Sequence, residues 1–179
     1  MNGIKVGNKI SRLPIIQGGM GVGVSMHSLA GAVAKEGGIG IISTADIGYR
    51  EADFLAEPRK SNLRAIGKEL SLARQIAPDG ILGFNVMVAL SDYEDIVKEC
   101  VKQKADLIIS GAGLPMDLPR YVIGTDTRIA PIVSSARAFR LISKRWIKKY
   151  KRKSCLALIP ESVSSQLQNF CLHFQIDYS

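Results

Sequence analysis

The chain has 179 residues, is 46% hydrophobic and carries a net charge of +8, which suits one globular domain and excludes wholesale disorder. The charge gathers in one run (Lys144, Arg145, Lys148, Lys149, Lys151, Arg152 and Lys153) while the rest is near balance, so it reads as a solvated helix end, with no nucleic-acid partner expected. No leader pattern opens the chain, no apolar run reaches the roughly 18 residues of a membrane helix, and Cys100, Cys155 and Cys171 lack metal or redox spacing; a cytoplasmic protein with no membrane partner and no metal is expected.

In chain order, 13–17 reads as a short strand ending in glycines. Met26, Leu29, Ala30, Val33 and Ala34 then mark one helix face, with Ser25 as a cap and Gly37-Gly38 as a stop. Residues 39–43 form a second strand, followed by a short helix near 51–56 and a break at Pro58. A helix carries Leu63, Ile66, Leu70 and Ala73, and Pro78-Asp79-Gly80 turns into a third strand at 81–87. Ser91 and Glu94 have the spacing of a capping box before a helix bearing Tyr93, Ile96, Val97, Cys100 and Val101. Strands at 106–110 and 128–134 follow, then a helix with Ala138, Leu141, Ile142 and Trp146.

The strands are continuous apolar runs, as expected of parallel strands covered on both faces. Alternation of strand and helix gives an α/β fold, either an open doubly wound sheet or a barrel. Each strand ends in small or polar residues: Gln17-Gly18-Gly19-Met20-Gly21, Ser43-Thr44-Ala45, Asn85, Ser110-Gly111-Ala112-Gly113 and Ser134-Ser135. In a barrel these ends share the face where chemistry occurs. Gly19, Gly21 and Gly23 depart from the dinucleotide fingerprint, which weakens Asp46 as a ribose contact. Asn85 needs a partner if buried, either backbone or a ligand edge. His27 suits a surface or capping role, and His173 is given no function. Cys100 is expected to be buried and inert.

The run Leu13-Pro14-Ile15-Ile16-Gln17-Gly18-Gly19-Met20-Gly21 resembles the opening of the nitronate monooxygenase family, also called 2-nitropropane dioxygenases. Gly37-Gly38-Ile39-Gly40-Ile41-Ile42-Ser43, Gly83-Phe84-Asn85-Val86-Met87, the stretch from Ile108 to Pro115 and Ile129-Ala130-Pro131-Ile132-Val133-Ser134-Ser135 extend the likeness, in family order. The resemblance implies a TIM (β/α)8 barrel holding FMN at its strand ends, and oxidation of alkyl nitronates by O2. It implies that the loop with Gly19, Met20 and Gly21 lines the flavin ring and that Asn85 meets the ring's polar edge. Gln17, Gly111 and Ser134 are expected as neighbours. Flavin-dependent enoyl-acyl-carrier-protein reductases are a close branch and the alternative activity.

The likeness stops near Lys153, and no glycine follows Gly124. A full barrel takes about 250 residues, so an incomplete barrel of about five βα units is expected. Residues 1–153 are expected to form the barrel part and 154–179 a divergent tail, with a frameshift or premature stop as the expected origin. The family's histidine and FMN-phosphate loops would then be missing, and FMN binding weak. A further alternative is an inactive fragment that acts only by association through open barrel edges.

Overall fold

The computed structural model describes residues 3–151. The expectations for Cys155, Cys171, His173 and 154–179 lie outside the described residues.

A small antiparallel hairpin opens the fold: β1 (Lys5–Val6) and β2 (Lys9–Ile10), joined through Gly7 at φ 60. Strands of two residues leave no alternation to read, and the sequence reading omits them. The 13–17 segment runs parallel beside β3 (Ile39–Ser43), but only the Ile16–Ile39 bridge forms. Gln17 explains why pairing ends there. Its backbone N–H still donates to Ile39 O at 3.0 Å, while its side-chain Oε1 accepts the next rung, from Ile41 N at 3.2 Å, as the main chain turns away into Gly18.

Helix α1 (His27–Lys35) starts at Met26 and not Ser25, and it stops as expected, with Gly37 at φ 91. The 51–56 stretch is a series of turns closed by i to i+3 bonds, such as Phe54 N to Glu51 O, and not a helix. Pro58 opens α2 (Pro58–Ile76) and does not break it, because the first helical turn needs no N–H from that residue. Strand β4 (Ile81–Met87) matches its expected bounds. Helix α3 (Tyr93–Lys102) is preceded by Asp92 and has no side-chain cap; Glu94 turns outward to Lys98 at 2.7 Å and Arg120 at 2.9 Å, so the capping box does not form. Strand β5 (Leu107–Gly111) sits one residue later than expected, and a short 3-10 turn at Leu118–Tyr121 was not foreseen. Strand β6 (Arg128–Pro131) ends before Ser134, and α4 (Ala136–Tyr150) begins from Ser135, whose hydroxyl accepts from Ala138 N at 3.2 Å.

The four longer strands form one parallel sheet in the order β3-β4-β5-β6. Its two faces differ. One packs against all four helices through Ile42, Leu82, Phe84, Val86, Ile108 and Ile129. The other carries Ile39, Ile41, Ile81, Leu107, Ile109 and Ala130, joined by Val6 of the hairpin and by no helical residue. A doubly wound sheet would reverse its order and carry helices on both faces. Sequential order with helices on one face is the wall of a barrel, so the fold is an incomplete TIM-barrel type.

Candidate functional site at the strand ends

Parallel register brings the C-terminal strand ends to one edge of the wall. Ser43 lies opposite Asn85, and Asn85 opposite Ile109, all on the helix-free face. The loop after Gln17 folds over this edge. Gly19 is buried, and a Cβ there would lie 2.5 Å from Ile41 Cγ2 and 3.0 Å from Asn85 Cβ. Only a residue without a side chain lets the loop sit so close to the sheet.

Three polar groups hold the loop. Asn85 Nδ2 donates to Gly19 O at 2.7 Å and lies 3.6 Å from Met20 Sδ. Gly19 O can only accept, so the amide must present its NH2 to the loop. Oδ1 takes no donor among the described residues, and the side chain is half-buried at the strand end. Ser25, buried, accepts from Met20 N at 3.0 Å and donates to Gly18 O at 3.1 Å. Its own carbonyl accepts from Ser43 N at 2.8 Å, tying loop to sheet. Beneath Asn85, the buried Thr44 donates its hydroxyl to Asn85 O at 2.8 Å.

The start of α1 is closed by a residue from another helix. Glu69 of α2 is 7% exposed, and its Oε2 accepts from His27 N at 2.9 Å and meets His27 Nδ1 at 2.7 Å. A carboxylate at a helix N-terminus satisfies free N–H groups and the positive end of the dipole. His27 is thus the residue capped and not the cap; Glu69 is the cap, and its carboxylate takes the His27 N–H that an outside anion would otherwise meet.

Of the predicted residues, Gln17, Gly19, Met20 and Asn85 come together. Gly21 continues the same loop at φ 77. Gly111 lies on β5 opposite Met87, packed towards Ile132, and Ser134 is exposed beyond the end of β6; among the described residues neither hydrogen-bonds to the loop. Met20 is 65% exposed above the edge. The sequence reading missed Ser25's role within the loop, Thr44's bond to Asn85, and Glu69 and Tyr49 altogether. Tyr49 lies against Gly23, where a Cβ would be 2.5 Å from its hydroxyl.

Other polar features serve the scaffold. Burial pushes the Tyr93 hydroxyl up to about 12 despite its bond to Ser110 Oγ at 3.0 Å. Burial also raises the Cys100 thiol, which keeps it protonated and inert as expected. Asp106 joins Lys9, Arg74 and Leu82 N at the opposite end of the wall, where hollows of about 430 and 490 Å³ also lie. In barrels that end serves stability and not chemistry. Among the described residues no helix is long and apolar enough to cross a membrane, and no group of three His, Cys, Asp or Glu residues could hold a metal.

A one-sided parallel wall with a glycine loop and an amide at its strand ends defines part of a barrel of the (β/α)8 type. The chain belongs to the nitronate monooxygenase family, whose model matches residues 5–150. It is similar to the solved structure of FabK from Thermotoga maritima, with 27% identity and a TM-score of 0.61 over 75% of this chain and 38% of that one. Nitroalkane oxidase from Streptomyces ansochromogenes has the same TM-score at 15% identity, over 75% of this chain and 44% of that one, a likeness of fold alone. The chain thus spans about two-fifths of the length of these structures. No curated protein matches it.

Proposed function

We propose that this chain provides the ring side of an FMN site in an oxidoreductase that oxidises alkyl nitronates with O2. The observation that supports this most is the Gly19 loop held over Asn85 at the strand ends of a chain from this family. Gly19, Met20 and Gly21 would line the flavin, and Asn85 would offer Oδ1 to its polar edge. Gln17 would act from behind the loop, holding β3, with Gly111 and Ser134 at the margin.

The residues fit a flat polar ring better than they fit a phosphate. The loop offers a backbone surface free of side chains at Gly18 and Gly19, next to an amide acceptor. The nearest helix N-terminus is filled by Glu69. FMN would supply the redox chemistry, carrying electrons from the nitronate to O2. The chain's own residues would orient the ring and keep water from its buried edge. The division at Lys153 into a barrel part and a divergent tail belongs to the same proposal, as do a cytoplasmic location and association through barrel edges.

The test is the absorbance spectrum of the purified chain in the flavin bands, with and without added FMN. Weak, saturable binding that is lost in Asn85→Ala is expected. No binding at any FMN concentration would overturn the proposal. Enoyl-acyl-carrier-protein reduction is the second reading, since the same motifs are shared with that branch. Oxygen uptake with a nitronate supports the first, and nicotinamide-dependent reduction of an enoyl thioester the second.

A further inference from the structure

The excess positive charge has a specific address. Nine of the 24 Lys and Arg residues fall between Arg137 and Lys153, where no acid occurs, and the remainder of the chain has 15 cations against 16 acids. Most of that stretch is α4. Its inner face is anchored by Phe139, Ile142 and Trp146, with Trp146 Nε1 donating to Pro115 O at 3.0 Å. On one flank Arg145, Lys149 and the Tyr150 hydroxyl all turn to Asp117.

The outward stripe is different. Arg137, Lys144, Lys148 and Lys151 recur at helical spacing over roughly 21 Å of axis, all but Lys151 within α4 itself. Among the described residues none of the four meets an acid. Leu141 at 51% and Ile147 at 47% exposure lie among them. Helix stability accounts for Lys148 and Lys151, which stand at the C-terminal end of the dipole, but not for Arg137 in the first turn, where a cation opposes it. Cations interleaved with exposed aliphatic side chains on a rigid helix match a surface that is anionic with an apolar layer just beneath.

We infer that the outer stripe of α4 is a docking face for an anionic lipid surface, with Arg137, Lys144, Lys148 and Lys151 on the headgroups and Leu141 and Ile147 reaching the acyl boundary. Nucleic acid is the less suitable occupant. Trp146 is fully buried and Tyr150 is held by Asp117, so no aromatic ring of α4 stands free to stack on a base.

The full chain is to be sedimented with phosphatidylcholine vesicles with and without phosphatidylserine, and titrated in parallel with double-stranded DNA. Binding that requires phosphatidylserine is expected, weakening as salt rises. Each stripe cation removed should lower partitioning about fivefold, so Lys144→Gln with Lys148→Gln should cost more than tenfold. The equal charge change Lys35→Gln with Lys104→Gln should leave it within twofold. Leu141→Gln should weaken vesicle binding and not DNA binding. Absence of phosphatidylserine-dependent binding overturns the inference. So does tighter binding to DNA, or vesicle binding indifferent to Leu141→Gln.

Discussion

Replacing Glu69 with glutamine removes one charge and little volume from a position where that charge does two jobs. The Glu69 side chain is 9% exposed, and its Oε2 serves both His27 N and His27 Nδ1. Helix α1 has no side-chain cap of its own and no acid in its first turn, so nothing else there substitutes. Charge-assisted hydrogen bonds contribute about 1.5–3 kcal/mol and neutral ones roughly half of that. A partly buried charge at a helix end adds up to about 2 kcal/mol. Against this stands the cost of desolvating the carboxylate, which the glutamine avoids. The net loss for Glu69→Gln is about 1–2 kcal/mol, or about 2–8 °C in Tm for a chain of this size. Glu69→Ala should lose more, about 2–4 kcal/mol, because His27 N is then unsatisfied. Urea unfolding gives the energy, and hydrogen exchange locates it. Exchange should quicken at 19–28 first, since Ser25 O and the start of α1 share that segment. A Glu69→Gln chain as stable as the parent, with unchanged exchange at 19–28, would refute the reasoning and show that desolvation cancels the cap.

Gly19→Ala should cost about 1–3 kcal/mol by overpacking, since the added carbon meets Ile41 and Asn85; it should also weaken any flavin binding, and a crystal structure with the loop unmoved would contradict it. The Tyr150 hydroxyl, with Arg145 and Lys149, holds the Asp117 carboxyl well below its ordinary 3.8. Its contribution is present above that value and fades as the pH falls through the folded value, so Asp117→Asn should destabilise by about 0.5–1 kcal/mol near neutrality and by less in unfolding experiments below about pH 3.8. Tyr93 is raised to about 12 from 10.0, so its share of stability is intact below 10 and lost as pH rises towards 12. Tyr93→Phe should cost about 1 kcal/mol at neutral pH and flatten the alkaline decline seen by circular dichroism.

The βα rhythm was legible because continuous apolar runs and i, i+3, i+4 spacing survive any tertiary detail; 39–43 and 81–87 are read to the residue. The choice between barrel and open sheet was not, because strand order and the side on which helices pack are long-range facts. Caps failed for a related reason. Ser25 and Glu94 have the right local spacing, but the loop takes one and Arg120 and Lys98 take the other. Glu69 did leave a trace: it interrupts the apolar stripe of α2 three residues after Ile66, on the buried face. A lone acid at such a position signals a distant partner without naming it. Residue type at strand ends picks out Gln17, Gly19, Met20 and Asn85, which the structure brings together, while Gly111 sits on β5 opposite Met87 and Ser134 lies beyond the end of β6.

The amide of Asn85 has one further consequence. The Gly19 carbonyl and the Met20 sulfur take its two N–H groups, and no rotation of the side chain can release them without abandoning the loop. What remains facing outward is an acceptor alone. The strand-end edge is therefore polarised: it welcomes a molecule that brings an N–H or O–H and repels one that offers only lone pairs. A visitor that does bring a hydrogen also tightens the grip on Gly19, since donors and acceptors in a chain reinforce each other. Recognition and loop order at this edge are then two readings of a single equilibrium.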